Sequence, residues 1–286
     1  MPTYADQQHV DHARHEIVRV CRLMWERGYV AATDGNVSMR LGERILTTPS
    51  GLSKGMLDPA QLVLTDLDGK MLPERFQSVK GLKPSSELRI HVEAYRRRPD
   101  IGAVVHAHPP IALAFSIAGV SLAGCVLPEV VLTLGAIPTT SYATPTSADG
   151  PTVIRDLIGK FDALLLDRHG TLTVGKDPLD AYFKLEKIEH SATVTLAARS
   201  LGDVRTLPPE EVRRLTSIRR ETLGLPPEWD GEGCVQCGAC GRTKDDASPE
   251  LPLCATAPGE TQTNADETLI ERITRAVLSE LRGSGA

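Results

Sequence analysis

Two histidines separated by one residue, His106 and His108, are the part of the sequence best suited to chemistry. His106 ends an apolar segment over residues 101–106, which predicts a short buried strand. Side chains two apart along a strand point to the same side, so both imidazoles can approach one cation. A third histidine, His169, follows another apolar run and precedes Gly170, which would let the backbone come close. Three imidazoles with an open fourth position are typical of catalytic zinc, and hydrogen-bonded loop histidines are the alternative.

Three short polar loops form the second feature. Each combines backbone N–H groups with small side chains, and the third precedes a predicted helix, whose free amides favour an anion. Taken singly, each loop is typical of an ordinary turn or cap, whereas together they predict a phosphate-binding pocket without a Walker loop. The loops read GNVS at 35–38, TPSG at 48–51 and KPSSE at 83–87.

Glu87 lies in the first turn of a helix predicted over residues 85–98. One interpretation is capping or compensation of the helix dipole. The other is a general base beside the metal, because a carboxylate near a cation and a carbon acid can move a proton there. The residues alone leave both open.

Periodicity and turn residues predict the elements that must position these groups. Apolar residues at three- and four-residue steps predict a helix over 8–28 that ends at Gly28. Further helices are predicted over 85–98, 111–117 and 177–199, and strands over 44–47, 62–65, 101–106, 130–133, 136–139, 163–166 and 172–174. The mixture predicts an α/β fold of the α+β type, with helices packed on an antiparallel or mixed sheet.

Composition limits the class of protein. The chain has 286 residues, 41% of them hydrophobic and 24% charged, which indicates one large or two small domains and excludes wholesale disorder. A net charge of −5 offers no broad basic surface, so we expect no nucleic-acid partner. No run of about 18 apolar residues is present, so we expect no membrane span. Acidic residues near the start are unlike a signal peptide, and we expect a cytoplasmic protein.

The six cysteines fall into two groups. Cys21 and Cys125 have apolar neighbours, so we expect buried reduced thiols. The others cluster near the C-terminus, where they would form a second metal site or a set of redox-sensitive thiols. These four are Cys234, Cys237, Cys240 and Cys254.

Six segments, in order, resemble the class II aldolase/adducin family, and within it the zinc-dependent fuculose-phosphate aldolases. The resemblance covers about residues 10–200, and the ordered set is far more specific than any one member. It implies a central, mainly antiparallel sheet flanked by helices, and a homotetramer with the active site at a subunit boundary. The segments are DGNVS at 34–38, TPSG at 48–51, LDG at 67–69, PSSE at 84–87, VHAH at 105–108 and RHG at 168–170.

The resemblance also implies roles for residues. It makes Glu87 the acid/base and, in the resting site, a fourth metal ligand. It implies cleavage of a ketose 1-phosphate, such as L-fuculose 1-phosphate, to dihydroxyacetone phosphate and an aldehyde such as lactaldehyde. The implied zinc ligands are His106, His108 and His169, and the implied phosphate ligands are Gly35, Asn36, Ser50, Gly51, Ser85 and Ser86. Three histidines also suit other divalent ions.

The chain departs from the family pattern at one place. Fuculose-phosphate aldolases often carry a tyrosine from a neighbouring subunit where this chain has residues 127–130, with Glu129 nearest. The proton donor to the aldehyde oxygen is therefore open. Glu87 favours an aldolase over the family's epimerases, which have aspartate there, but does not separate it from the family's dehydratase. The three histidines argue against a non-catalytic adducin-like interaction domain.

The composition of the chain changes in its C-terminal part. A catalytic domain over 1–205 is followed by a Pro/Gly-rich linker over 206–265. Apolar residues at helical spacing predict an amphipathic helix over 266–286. This helix resembles the encapsulation peptides of bacterial microcompartments, which implies a shell protein as partner. Docking on its own domain or at an oligomer interface is the alternative.

Overall fold

The structure, a computed structural model, describes residues 4–224. Within that range six strands form one sheet, and seven α-helices surround it. The strands are β1 (Asn36–Leu41), β2 (Arg44–Thr47), β3 (Val63–Asp66), β4 (Ala103–Ala107), β5 (Ala163–Leu166) and β6 (Gly170–Gly175). The helices are α1 (Tyr4–Glu26), α2 (Leu88–Arg97), α3 (Pro110–Ile117), α4 (Pro128–Leu134), α5 (Gly150–Ile158), α6 (Pro178–Leu201) and α7 (Pro209–Leu223).

The sheet has the order β3-β2-β1-β4-β6-β5, and every neighbouring pair is antiparallel. The prediction of a mainly antiparallel sheet flanked by helices is confirmed. All five residues of β4 are buried, because β1 and β6 flank the strand and helices cover both faces. The register places Asn36 of β1 opposite His106 of β4. Two residues of the predicted site are thus paired directly by the sheet.

Alternation along β4 separates two layers of apolar side chains. Val105 packs with residues of α1 and α6 on one face, and Val104 packs with residues of α2 and α5 on the other. Neighbouring residues of a strand point to opposite faces, so His106 shares the face of Val104. The central strand therefore presents His106 to the side on which α2 lies.

Two predicted strands are wrong. Residues 130–133 lie in α4, which begins at Pro128 and buries Val130, Val131 and Leu134. Their β-branched side chains favour a strand, but the proline at the first turn and burial at three- and four-residue spacing favour a helix. Residues 136–139 form no strand and contribute one isolated bridge, between Thr139 and Leu165.

The linker predicted from residue 206 is also wrong in its first part, because Pro209–Leu223 form α7. Val212 of α7 is buried and packs with Cys125 and Val131 beside α4. A helix with so few large apolar residues gave a weak sequence pattern, and its order comes from this tertiary contact. The four clustered cysteines, the rest of the predicted linker and the helix predicted over 266–286 lie outside the described residues. None of the described helices is long and apolar enough to cross a membrane.

Candidate active site

The end of β4 sets the first two histidines. His106 is fully buried, and its Nδ1 donates a hydrogen bond of 2.8 Å to the carbonyl oxygen of Thr171. That bond fixes the tautomer and leaves a lone pair on Nε2. His108 follows the strand, held by a 2.8 Å bond from its backbone N–H to the Tyr29 carbonyl. Its Nε2 lies 3.0 Å from that of His106, so the two rings meet.

The turn between β5 and β6 brings in His169. Gly170 has a φ of +157°, and a Cβ there would lie 2.4 Å from the Ala107 carbonyl oxygen and 2.7 Å from Cδ2 of His108. Only glycine therefore lets this turn approach β4 so closely. The predicted reason for Gly170 is confirmed, and the close approach puts the three imidazole rings within 5.3 Å of one another, centroid to centroid.

Glu87 occupies the N-cap position of α2, but its side chain makes no capping hydrogen bond. Its Oε1 lies 2.9 Å from Nε2 of His169, and its Oε2 lies 3.3 Å from Nε2 of His106. Asn36 donates a bond of 3.1 Å to the same Oε2. The side chain therefore does not cap the helix by a hydrogen bond and contacts the histidines instead.

Glu87, His106, His108 and His169, here termed the ligand cluster, have the geometry of a metal site. Their ligand atoms lie within 4.8 Å of one another. Atoms bound about 2.0–2.1 Å from a tetrahedral zinc ion lie about 3.3 Å apart. The separations of 2.9, 3.0 and 3.3 Å in the ligand cluster are close to that value, so the donor set fits one divalent cation. The geometry does not select zinc over other divalent ions.

The protonation states suit metal binding. Burial lowers the pKa of His108 to about 3, and the neighbouring histidines add to the effect. Burial opposes ionisation of Glu87, but hydrogen bonds and charges from His106 and His169 outweigh it and hold its pKa below the usual range. A neutral imidazole and an ionised carboxylate are the forms that bind metals. Both are present near neutral pH.

The segments predicted as phosphate loops come together beside the ligand cluster, although residues 36–38 of the first one lie in strand β1 and not in a loop. The backbone N–H of Ser50 donates to the Lys83 carbonyl at 2.9 Å, and that of Ser85 donates to the Thr48 carbonyl at 3.1 Å. These two amides therefore join the second loop to the third and are not free for an anion. Asn36 joins the first loop to Glu87, and Gly35 approaches the backbone of His106 so closely that a Cβ would lie 3.0 Å from its carbonyl oxygen. Gly51 adopts a φ of +76° in the tight second loop.

A cavity opens beside Glu87 and His169, and sequence reasoning missed most of its wall. Ser86 lines it as the only one of the six predicted phosphate ligands, with Arg89 and residues 143–147 around it. These residues lie in loops and at a helix end and follow no period, so no pattern marked them. Glu129 lies in the first turn of α4 and is not among the residues that line this cavity.

Lys54 is a second residue that sequence reasoning missed. It is 2% exposed, and its Nζ donates to the carbonyls of Thr33 and Leu52 at 2.6 and 2.8 Å. In the sequence, only its position three residues after Gly51 could have indicated that Lys54 lies near the site.

Comparison with known proteins agrees with this fold and site. The family model described as "Class II Aldolase and Adducin N-terminal domain" matches residues 15–196, so the chain belongs to that family. The L-fuculose phosphate aldolase of Methanococcus maripaludis is 35% identical over 65% of this chain and 97% of its own. The 3-oxo-tetronate 4-phosphate decarboxylase of Escherichia coli is 31% identical over 71% of this chain and 95% of its own. The crystal structure of YgbL from Escherichia coli superimposes with a TM-score of 0.65 at 30% identity, over 72% of this chain and 98% of that one.

The chain is an enzyme of the class II aldolase type. The three histidines implied as metal ligands are all present and meet at Glu87. The two kinds of relative carry out different reactions by name, so the family does not fix the substrate.

Proposed function

We propose that the chain is a metal-dependent aldolase that cleaves a ketose 1-phosphate, L-fuculose 1-phosphate or a similar sugar. The products are dihydroxyacetone phosphate and an aldehyde such as lactaldehyde. The observation that carries the proposal is the convergence of Glu87 with His106, His108 and His169 next to the three polar loops. Relatives named L-fuculose phosphate aldolase support the choice of substrate class.

The ligand cluster would hold the cation, Zn²⁺ in the first instance. When bound, a divalent cation supplies a Lewis acid that stabilises negative charge developing on substrate oxygens. The carbonyl of Thr171 keeps His106 in the tautomer that donates through Nε2. Asn36 orients the Glu87 carboxylate through its Oε2. Both contacts fix the ligand cluster before substrate arrives.

Glu87 would carry the proton. As the C3–C4 bond of the ketose breaks, the C4 hydroxyl gives up its proton and becomes the aldehyde, and the electron pair stays on C3 as an enediolate. Glu87, which is ionised in the resting site, would take up that proton and deliver it to C3, which gives dihydroxyacetone phosphate. The side chain is placed for this because it lines the cavity and also contacts the histidines. The phosphate would bind at Gly35, Asn36, Ser50, Gly51, Ser85 and Ser86, through the side chains and amides that the loops do not use on each other.

A decarboxylase of 3-oxo-tetronate 4-phosphates is the second candidate. Relatives with that name align with 71% of this chain, whereas the Methanococcus maripaludis aldolase aligns with 65% of it. Loss of carbon dioxide from a 3-oxo acid leaves the same kind of electron-rich carbon, which Glu87 would protonate. Arg89, in the cavity wall, provides a cation for a second anionic group of the substrate. The absence of a tyrosine near Glu129 is also compatible with a reaction that releases no aldehyde.

One experiment separates the two reactions. The full chain is loaded with Zn²⁺ and supplied with a panel of ketose 1-phosphates and 3-oxo-tetronate 4-phosphates. Dihydroxyacetone phosphate is measured by a coupled assay, and carbon dioxide is trapped, each with and without a chelator. We expect chelator-sensitive dihydroxyacetone phosphate from at least one ketose 1-phosphate. Carbon dioxide alone would establish the decarboxylase instead, and full activity after complete removal of the metal would contradict both.

We further propose a cytoplasmic homotetramer with the active site at a subunit boundary. We propose in addition that residues 266–286 bind a microcompartment shell protein, on the evidence of the apolar stripe and the long segment before it. Residues 262–286 fused to a fluorescent protein should then collect in shells. Diffuse fluorescence beside intact shells would contradict this assignment.

For the clustered cysteines we propose a second metal site. Because α7 packs on α4, truncation near residue 205 would damage the catalytic domain. Serine substitutions in the full chain are the better test, at Cys234, Cys237, Cys240 and Cys254. The metal content per chain should fall, and an unchanged ratio would leave these residues as thiols only.

A further inference from the structure

Lys54 is a lysine whose charged end lies inside the protein. It opens a single 3₁₀ turn, Lys54–Met56, and only 2% of the residue is exposed. The turn packs closely on α1, since a Cβ on Gly55 would lie 2.4 Å from the Trp25 ring. Lysine is seldom buried to this extent unless its ammonium has partners. Packing therefore holds Lys54 inside the protein, and the hydrogen-bond partners of its ammonium indicate its role.

The two partners of the ammonium belong to two different loops of the site. Nζ donates to the carbonyl of Thr33 at 2.6 Å and to the carbonyl of Leu52 at 2.8 Å. Thr33 immediately precedes the DGNVS segment, and Leu52 immediately follows the TPSG segment. One side chain thus ties together the segment that leads into Asn36 of β1 and the loop that carries Ser50.

The charge of Lys54 has no carboxylate in direct contact. Within residues 4–224 it takes part in no ion pair, and the carboxylates that act on it from farther away are Asp34 and Glu87. At 2% exposure the residue has little contact with water, and this burial lowers the pKa of its ammonium. Glu87 is already engaged by two histidines. Two neutral carbonyls satisfy hydrogen bonds but do not neutralise a desolvated cation.

A phosphate group between the loops would supply the missing negative charge. The six residues expected to bind it are neutral, so hydrogen bonds alone would have to hold a dianion. The Lys54 ammonium, which contacts two of these segments, would make phosphate binding more favourable, since Coulomb attraction is strong where water is scarce. An ammonium also has three donors, of which two carbonyls use two.

We propose that Lys54 is a positioning residue for the phosphate group of the substrate, fixing the spacing of two loops and providing the positive charge that the anion needs. The inference rests on the proposed function only in requiring a phosphorylated substrate. It holds equally for the ketose 1-phosphate and for the 3-oxo-tetronate 4-phosphate.

The test compares two variants of Lys54 with a control in the zinc-loaded full chain. Lys54→Met removes charge and donors at similar length, whereas Lys54→Gln removes the charge but keeps a donor. Lys176→Met removes an exposed lysine outside the three loops and is the matched control. The probe is inorganic phosphate, titrated calorimetrically, together with metal content, melting temperature, and kcat and KM for the phosphorylated substrate.

We expect both Lys54 variants to bind phosphate at least about tenfold more weakly, as for loss of one charge-assisted contact. KM should rise by more than kcat falls, metal content should not change, and Lys176→Met should resemble the parent chain. If Lys54→Gln keeps the parent affinity, the side chain is a hydrogen-bonding clasp only and the proposal is overturned. Equal affinity in all variants overturns it too. A parent chain that binds no phosphate would instead contradict the phosphate site of the proposed function, and this inference with it.

Discussion

Strand β4 has a cluster of ionisable side chains at each end, and the two clusters are built on opposite rules. The ligand cluster joins one carboxylate to three imidazoles near His106. The other, here termed the ion-pair cluster, alternates cations and anions where the chain enters the strand. Its members are Arg98, Asp100, Asp162, Asp180 and Lys184.

In the ion-pair cluster every carboxylate contacts a cation. Arg98 contacts Asp100 at 2.8 Å and Asp162 at 2.9 Å, and Lys184 contacts Asp162 at 3.0 Å. The ligand cluster has lone pairs aimed at a common point and one negative charge among them. Carboxylates that each contact a cation stabilise the fold, whereas several ligand atoms gathered around one carboxylate mark a site for an added ion. The contrast is how the structure distinguishes a stabilising cluster from a functional one.

The largest effect that tests this contrast should come from Glu87→Gln. Loss of the proton carrier should lower kcat by about 10²- to 10⁴-fold, while the three histidines keep the metal. Steady-state kinetics and metal analysis of the same preparation measure both. Glu74→Gln, which removes an exposed carboxylate, is the control. A variant with full metal and full activity would remove Glu87 from the mechanism.

Asp162→Asn should damage the fold and leave the chemistry intact. The free energy of unfolding should fall by about 3 kcal/mol, at the low end for a broken buried pair, because Arg98 keeps Asp100. Urea denaturation measures the loss, and kcat per folded molecule should not change. The exposed Asp68, paired with Arg96, offers a matched control, and its Asn variant should lose less than about 1 kcal/mol. A selective loss of metal from Asp162→Asn would show that the two clusters are coupled.

Gly170→Ala should act on both the fold and the metal. The new Cβ would meet the Ala107 carbonyl at 2.4 Å, so the turn that carries His169 must shift. We expect about 1–3 kcal/mol of destabilisation and about ten- to hundredfold weaker metal binding. Gly159→Ala is the control. Apart from the adjacent residues and its own helix backbone, a Cβ at that position would have no heavy atom within 4 Å. Unchanged metal affinity in Gly170→Ala would mean that the turn can move without disturbing His169.

Just below pH 6.5, the smallest effect comes from His91, which is fully buried and lies near the charges of His106 and Glu87. Burial lowers its pKa from 6.5 to about 3, so between these values the unfolded chain binds the proton and the folded chain does not. His91 therefore costs stability as pH falls below 6.5, by up to about 1.4 kcal/mol per pH unit. The free energy of unfolding against pH, for the parent and His91→Gln, should differ in slope by that amount. His12→Gln, at an exposed position, should keep the parent slope.

The sequence predicted the fold well where its pattern was strong. The helix with Ile17 and Met24 on its buried face and the strand ending at His106 lie where expected, because one element buries one periodic set of side chains. It failed in α4 and α7. Val130 and Val131 favoured a strand locally, and α7 has too weak an apolar stripe to be predicted before its contact with Cys125 and Val131 is known.

By itself the sequence determined which side chains could do chemistry. Residue type, the spacing of His106 and His108, and Gly170 after His169 are local properties that the chain carries without folding. Only the tertiary structure decided that Glu87 contacts the histidines instead of capping its helix, and that Lys54 lies between two loops. Those contacts join residues far apart in the chain, and they form because packing of β4, α1 and α2 brings them into one water-poor place, where a charge must find a partner.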